Sequence, residues 1–242
     1  IYELKLNPEN NDQYELDGAW VNFTETDQEF KVKLFGPFSI TYPIQMYHSA
    51  HGPVLKDDNK AYALRFVGMN DVNHSTAWLK MNKSKNIDEW LDALRMEQLA
   101  SLNLVYADKE DNIFFVHNVK SPVRDPNYNW MQVVPGNKSD LIWNNFHPFE
   151  SVPQILNPSS GYIFSTNQNP FFVTAKEDNL SLSKFNPTMG FQTRTTNRAY
   201  RAYELLDPDK SISFGELDKY KHDNKFSYNS RPVSYTHLRA HE

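Results

Sequence analysis

The alternation of apolar and polar residues near the start of the chain constrains its fold most. Residues 30–35, Phe-Lys-Val-Lys-Leu-Phe, place every second side chain on the same face of an extended strand. Such alternation is typical of an antiparallel strand with one buried face and one solvated face. Asp17-Gly18 lies between two further apolar runs and indicates a tight hairpin. We therefore predict antiparallel strands over residues 1–46 and another strand over residues 61–67.

Three later segments predict helices. Residues 86–103 begin with Asn86, a good helix N-cap, and repeat apolar side chains three and four positions apart. Because that spacing gives one apolar face, we expect this helix to pack on a sheet. Residues 195–206 predict a second helix. Ser213 and Glu216 have the spacing of a capping box that opens a third.

The middle of the chain predicts one hairpin and one long irregular segment. Residues 103–117 hold two apolar runs that flank a polar turn, which is typical of a hairpin. Residues 119–160 hold six prolines and little periodicity. A segment of this kind in a compact domain is usually functional or wraps a surface.

Composition excludes several classes of function. The 242 residues suffice for one large or two small domains, and the 14% of aromatic residues suits a packed, strand-rich core. The net charge is −5, and the lysines and arginines form no basic stripe along the sequence, so we expect no nucleic-acid partner. No apolar run approaches the roughly 18 residues of a membrane span, and we expect no membrane partner. The lack of cysteine excludes disulfides, thiolate metal sites and a Cys nucleophile.

Two histidines three positions apart, His48 and His51, raise the question of a metal site. On a helix they would share one face, but Gly52-Pro53 argues against a helix here. No third ligand is evident, so we favour a loop that leads into a strand and predict no metal site.

Residues 157–170 combine a strand-like centre with a polar end. Tyr162 to Phe164 are aromatic or β-branched, which favours a strand, and a turn-forming cluster and Pro170 bracket them. The run from Ser165 to Asn169 then presents carboxamides at the end of the apolar centre. A strand end of this kind could hold a carboxamide in place as a hydrogen-bond donor, although an ordinary Asn-rich loop explains the composition as well.

Several blocks occur in an order that resembles the β-subunit of the penicillin acylase family. That family includes penicillin G, cephalosporin, aculeacin A and acyl-homoserine lactone acylases, and the resemblance covers about residues 1–230. Each block alone is weak, but their order makes a chance match improbable. The blocks are residues 51–54, 76–80, 103–108, 111–113, 121–124, 134–136, 147–150 and 157–162, with Trp143 and Asn167.

The resemblance implies a fold and a domain organisation. We expect an α+β fold, the four-layer αββα sandwich of N-terminal-nucleophile hydrolases, incomplete at the N-terminus. Residues 1–231 are then a fragment of the β-subunit. Residues 232–242 have no helical or strand period and resemble translated adapter or vector sequence. We exclude them from the fold and do not count His237 and His241 as ligands.

The resemblance also implies amide hydrolysis. In this family a precursor is cut so that a Ser becomes the first residue of the β-subunit, and its α-amino group acts as base for its own hydroxyl. An α-amino group has a pKa of about 7.7–8.0, close to the operating pH, which suits general-base work. This chain begins at Ile1, so the Ser is expected upstream, and the fragment alone is expected to be inactive.

Position by position, the resemblance assigns two catalytic residues. Asn167 falls on the Asn whose side-chain N–H stabilises the oxyanion, and Gln168 is the second polar residue that usually follows it. Arg198 falls on the Arg that supports this Asn and the nucleophile. A solvent-facing charge is the alternative for Arg198, and Arg201 is the fallback. Cations near a helix start are unusual given the helix dipole.

Two further positions fall on the acyl-pocket lining of penicillin G acylases. These are Trp78 and Leu102, for which a plain core position is an equally good interpretation. No cofactor is required, although the full-length protein could hold a structural calcium. The expected partners are a small acyl amide and an α-subunit cut from the same precursor. The expected location is the bacterial periplasm or outside the cell.

A non-catalytic binding module is the competing hypothesis. A β-rich, aromatic-rich chain could bind carbohydrate or peptide, with Trp130 and Trp143 as exposed stacking platforms. That hypothesis does not explain the ordered blocks. The substrate itself cannot be inferred, because a phenylacetyl pocket and a fatty acyl pocket are both apolar.

Overall fold

The computed structural model describes residues 1–57 and 59–230. The predicted adapter-derived tail, residues 232–242, therefore lies outside the described residues. The chain divides into two compact units. The first contains Ile1–Met69 and Pro122–Asn145, and the second contains Asn70–Ser121 and the described residues from Phe146 to Ser230.

The described residues form twelve strands, four α-helices and four single-turn 3-10 helices, and irregular segments connect many of them. The strands are β1 (Tyr2–Leu4), β2 (Leu6–Asn7), β3 (Asn10–Leu16), β4 (Ala19–Asn22), β5 (Thr24–Phe35), β6 (Phe38–Ser49), β7 (Gly52–Lys56), β8 (Ala61–Ala63), β9 (Asn103–Ala107), β10 (Ile113–His117), β11 (Val134–Pro135) and β12 (Gln154–Leu156). The helices are α1 (His74–Lys83), α2 (Ile87–Leu94), α3 (Asn197–Leu206) and α4 (Phe214–Lys221).

The first unit is built from two sheets. The larger has the order β11-β1-β8-β7-β6-β5, and its neighbours are antiparallel except for the parallel pair of β1 and β11. The smaller sheet has the order β2-β3-β4. Asp17 and Gly18 connect β3 to β4 with φ angles of 50° and 80°, values that a two-residue hairpin turn requires. The predicted hairpin is confirmed.

The β5–β6 hairpin corrects one expectation about burial. Its alternation is as predicted, and Phe30 pairs with Tyr42 while Val32 pairs with Ile40 on one apolar face. That face is not buried, however, since Phe30 is 52% exposed and Tyr42 is 61% exposed. Only the end of β6, from Tyr47 to Ser49, pairs with β7, so among the described residues most of the hairpin has no neighbouring strand on the β6 side.

The two histidines considered as metal ligands have structural surroundings. His51 is fully buried and its ring centroid lies 4.6 Å from that of Tyr2. Burial lowers the pKa of His51 to about 4, with a further contribution from the nearby Arg65 guanidinium. His51 lies in the tight turn that leads from β6 into β7, in agreement with the predicted loop before a strand, whereas His48 belongs to β6 itself. Within the described residues no three His, Asp or Glu side chains are grouped to hold a metal.

The second unit has a three-stranded antiparallel sheet with the order β12-β10-β9. Phe114 and Val116 of β10 pack with Trp90 and Leu94 of α2 in one buried cluster. Phe115 packs in a second buried cluster, which includes residues from β12 and the following segment. The predicted hairpin over residues 103–117 and the predicted helix on a sheet are both confirmed.

Several predicted boundaries are wrong. The helix predicted over residues 86–103 begins as expected, with the Asn86 side chain accepting from the Glu89 amide, but ends at Leu94. Glu97 and Ser101 have positive φ angles of 53° and 64°, which a helix cannot contain. The strand predicted over residues 61–67 is only β8.

Helix α1 was not predicted at all. It has no side-chain N-cap bond and buries only Ala77 and Met81, so its sequence carries little helical signal. Helices α3 and α4 agree with prediction, and Ser213 and Glu216 form the complete capping box of α4. In the described part of the chain, no helix combines the length and the apolar character that crossing a bilayer needs.

The strand expected at Tyr162 to Phe164 is also absent. These residues belong to no sheet of the described chain, although the Phe164 amide donates to the Val173 carbonyl at 2.9 Å. The segment over residues 119–160 is largely irregular, as predicted. Its described regular structure consists of the short strands β11 and β12 and two single-turn 3-10 helices, Ser139–Leu141 and Phe149–Ser151.

Two glycines provide a test of the fold. A Cβ on Gly52, which has a φ of 140°, would stand 2.2 Å from the Leu64 carbonyl oxygen. We expect Gly52→Ala to lower the free energy of unfolding by about 1–3 kcal/mol, the usual cost of such backbone strain. A Cβ on Gly215 in α4 meets nothing within 4 Å, so Gly215→Ala should raise it by about 0.4–1 kcal/mol. Urea unfolding measures both, and equal effects would contradict the packing around Gly52.

Candidate functional site

Asn167 stands at the tip of a loop with its side chain toward solvent. Its φ of 67° lies in the left-handed region, which Asn adopts more readily than most residues. The side chain is exposed, and no hydrogen bond joins its carboxamide to another described residue. The carboxamide is therefore available to a ligand.

The buried side chain of Gln168 holds this loop in place. Its side chain is 3% exposed, and its Nε2 donates to the carbonyl oxygens of Phe164 and Phe172 at 3.1 and 2.9 Å. Its Oε1 accepts from the amide and the hydroxyl of Thr166 at 2.5 and 3.0 Å. The predicted second polar residue of the motif thus points inward, and its four hydrogen bonds fix the backbone on both sides of Asn167.

Four contacts attach the loop region to α3 and to the residues that flank this helix. The ring of Phe172 lies 5.0 Å from that of Tyr203 and 5.7 Å from that of Tyr200. The Tyr162 hydroxyl donates to Asp207 at 2.9 Å, just beyond the end of the helix. Asn169 is buried and donates to the Thr193 carbonyl at 3.1 Å, before the helix begins. These contacts place α3 beside the Asn167 loop.

A cleft of about 670 Å³ opens between the loop and helices α3 and α4. The structure brings the two predicted catalytic residues together here, because Asn167 and Arg198 both line it. The other walls contain apolar side chains, among them Leu205 and Leu217. The cleft could therefore hold a ligand with an apolar part and a polar group near Asn167.

Arg198 and Arg201 have different roles in this cleft. Arg201 donates from Nε and Nη2 to the two carboxylate oxygens of Asp223 at 2.8 and 2.9 Å, and its Nη1 lies 3.4 Å from Glu204. These bonds lower the pKa of Asp223 to about 2. Arg198 is exposed and pairs with no carboxylate of the described chain. Arg198 is therefore the better candidate for a functional cation, and Arg201 ties α3 to the segment after α4.

The predicted acyl-pocket residues lie elsewhere. Trp78 is on α1 with 36% of its surface exposed, and Leu102 packs against the core cluster of the second unit. Neither lines the cleft that contains Asn167. Their assignment to an acyl pocket stays a prediction, while a core position describes Leu102 better than Trp78.

The aromatic platforms of the competing hypothesis are not exposed. Trp143 is 8% exposed, and the Trp130 indole N–H donates to the Asp125 carbonyl at 2.7 Å. The Arg65 guanidinium lies 4.7 Å from the centre of the Trp143 ring. Both tryptophans serve packing in the first unit, so the structure removes the observation that motivated a binding module.

Sequence reasoning missed one wall of the cleft. Tyr220 and Lys221 at the end of α4, with Asn224 and Lys225 after it, line the cleft opposite the loop. Their spacing is that of an ordinary helix end, and lysines in the last turn are expected from the helix dipole alone. Nothing in the sequence separates these lysines from other exposed ones, since only the packing of α4 brings them to Asn167.

Comparison with known proteins identifies relatives of this chain. The family described as penicillin amidase matches residues 1–239. Penicillin G acylase of Escherichia coli is 31% identical over 174 residues, which are 70% of this chain and 20% of that protein. Penicillin acylase 2 proenzyme of Pseudomonas sp. (strain SE83) is 29% identical over 121 residues, which are 48% of this chain and 16% of that protein.

A solved structure shares the fold. The thermostable penicillin G acylase from Alcaligenes faecalis matches with a TM-score of 0.72 and 25% identity, over 90% of this chain and 37% of that chain. This match confirms the expected α+β fold. The chain spans about a fifth of the length of the curated relatives. By the match along nearly its whole length, the chain belongs to the penicillin amidase family.

Proposed function

We propose that this chain carries the oxyanion-stabilising part of an enzyme that hydrolyses acyl amides. One observation supports the proposal most: Asn167 and Arg198 line one cleft, and the Asn167 carboxamide has no partner among the described residues. Family membership supports the reaction class. The substrate would be an N-acylated amide such as a β-lactam side chain or an acyl-homoserine lactone.

The chemistry assigned to the two residues follows from their surroundings. When a nucleophile attacks an amide carbonyl, the oxygen gains negative charge, and a preorganised N–H donor stabilises it. The Asn167 Nδ2–H group would donate to that oxygen. The loop does not need to reorganise for this step, because Gln168 already holds it. Arg198 would add positive charge beside the same atom and orient the carboxamide.

The nucleophile completes the proposal. We assign it to a Ser upstream of residue 1, whose α-amino group takes the hydroxyl proton and later passes it to the leaving amine. An α-subunit cut from the same precursor would accompany the chain, and a periplasmic or secreted location would suit such processing. The word proenzyme in the name of the Pseudomonas relative supports the processing step.

The first test concerns the nucleophile. We expect the 242-residue chain alone to release no product from chromogenic acyl amides, because it lacks an N-terminal Ser. Extending the reading frame upstream should reveal a Ser that cleavage can make N-terminal, and the extended protein should be active. Full activity of the 242-residue chain, or an extended frame without such a Ser, would contradict this proposal.

The second test concerns Asn167. In the active protein, Asn167→Ala should reduce kcat about 100- to 1000-fold, the usual cost of losing one oxyanion donor. Because Ala is strained at a φ of 67°, Asn167→Gly is the matched variant that removes the carboxamide without backbone strain. Both should retain the wild-type circular dichroism spectrum. Unchanged kcat in Asn167→Gly would exclude the oxyanion role.

The third test separates the two arginines. Arg198→Ala should lower kcat with little change in Tm, because Arg198 is exposed and pairs with no described carboxylate. Arg201→Ala should lower Tm, because it removes the bidentate pair with Asp223. Arg194 is exposed and does not line the cleft, so Arg194→Ala is the control for general loss of charge. Equal kinetics in Arg198→Ala and Arg194→Ala would reject the role of Arg198.

A further inference from the structure

A chain of hydrogen bonds runs from the β9–β10 hairpin to the Asn167 loop. Asn103 begins β9 and His117 ends β10, and the two are direct partners in the strand register. The distance from His117 Nδ1 to Asn103 Oδ1 is 2.6 Å. Asn103 Nδ2 donates to the Gln168 carbonyl oxygen at 3.0 Å. The strand register thus delivers one side-chain amide to the residue that follows Asn167.

The Gln168 carbonyl determines the donor and the acceptor in each of these hydrogen bonds. The Gln168 carbonyl can only accept, so the Asn103 group that faces it must be its NH₂, and Asn103 Oδ1 must face His117. His117 Nδ1 therefore carries the proton. The other ring nitrogen, Nε2, then accepts from Asn118 Nδ2 at 3.1 Å. For a neutral imidazole ring, no other arrangement satisfies all three bonds.

The surroundings of His117 keep this arrangement in place. Burial lowers its pKa to about 4, so the ring is neutral near pH 7. The Phe191 ring lies 5.9 Å from it on the side of the segment before α3. The Asn118 amide donates to the Leu102 carbonyl at 2.9 Å and closes the end of the hairpin. The sheet therefore holds Asn103 and His117 in place, and these two residues hold the Asn167 loop.

We propose that Asn103 and His117 are positioning residues for Asn167. They hold the Gln168 main chain so that Asn167 keeps its left-handed backbone and directs its carboxamide into the cleft. This inference rests on the proposed oxyanion role of Asn167. The competing explanation is that the pair only closes the β9–β10 hairpin, and in that case its loss would leave the Asn167 loop unchanged.

The structural test uses the 242-residue chain. Asn103→Asp keeps the size of the side chain but replaces the donor to Gln168 with an oxygen. We expect amide exchange at Thr166, measured by NMR, to accelerate about tenfold through loss of one hydrogen bond, while Val116 in β10 is unchanged. Asn144→Asp is the control, since Asn144 also donates to a carbonyl, at 3.2 Å, in the other unit. Unchanged exchange at Thr166 would overturn the proposal.

A second measurement on the wild-type chain needs no variant. The ¹⁵N spectrum of the His117 ring should show a protonated Nδ1 and an unprotonated Nε2 at neutral pH, the rarer tautomer of a free imidazole. An Nε2-protonated ring would mean that His117 does not donate to Asn103. That result would overturn the proposed chain of hydrogen bonds even if a variant failed to fold.

The kinetic test uses the active, extended protein. Asn103→Asp should lower kcat about 10- to 100-fold with KM unchanged, which is the usual effect of misplacing a catalytic group. His117→Asn keeps a donor near the Nδ1 position and should recover most of the activity that His117→Phe loses. Wild-type kcat in Asn103→Asp, with Asn167→Gly impaired, would overturn the positioning role. Wild-type kcat in Asn167→Gly would instead overturn the oxyanion role.

Discussion

The buried carboxamide of Gln168 is the interaction on which the candidate site depends. A buried amide that lost its partners would cost about 1–3 kcal/mol for each unsatisfied group, so its four hydrogen bonds select one loop conformation. That conformation leaves Asn167 in the left-handed region and faces it toward α3. The two neighbouring carboxamides therefore have different roles: the buried one of Gln168 stabilises the loop, and the exposed one of Asn167 is available to a ligand.

The parts of the fold with a strong local pattern could be predicted from the sequence. The Asp17-Gly18 turn, the Asn86 cap and the Ser213 capping box are short-range features, and each appears where it was expected. Asn167 and Arg198 could be named because the order of sequence blocks resembled a family. The same resemblance implied that the two residues lie close together. The contacts that bring them together, of Phe172 with Tyr200 and Tyr203, could not be predicted.

The errors have physical causes. Residues 162–164 have the composition of a strand, but a strand needs a neighbouring strand to pair with. Among the described residues, only the Phe164 amide of this segment has a backbone partner, the Val173 carbonyl. Helix α2 ends before the predicted residue 103 because Glu97 has a positive φ. A Glu side chain gives no indication of such a backbone angle. The basic wall formed by Lys221 and Lys225 reflects tertiary packing, which no periodic pattern records.

The β5–β6 hairpin has a consequence for the behaviour of the chain in solution. An isolated two-stranded ribbon is marginally stable in water, and this one presents Phe30, Val32, Ile40 and Tyr42 on a single open face. Such a face lowers its free energy only by meeting another apolar surface. Association through this face therefore becomes more favourable as the concentration of the chain rises.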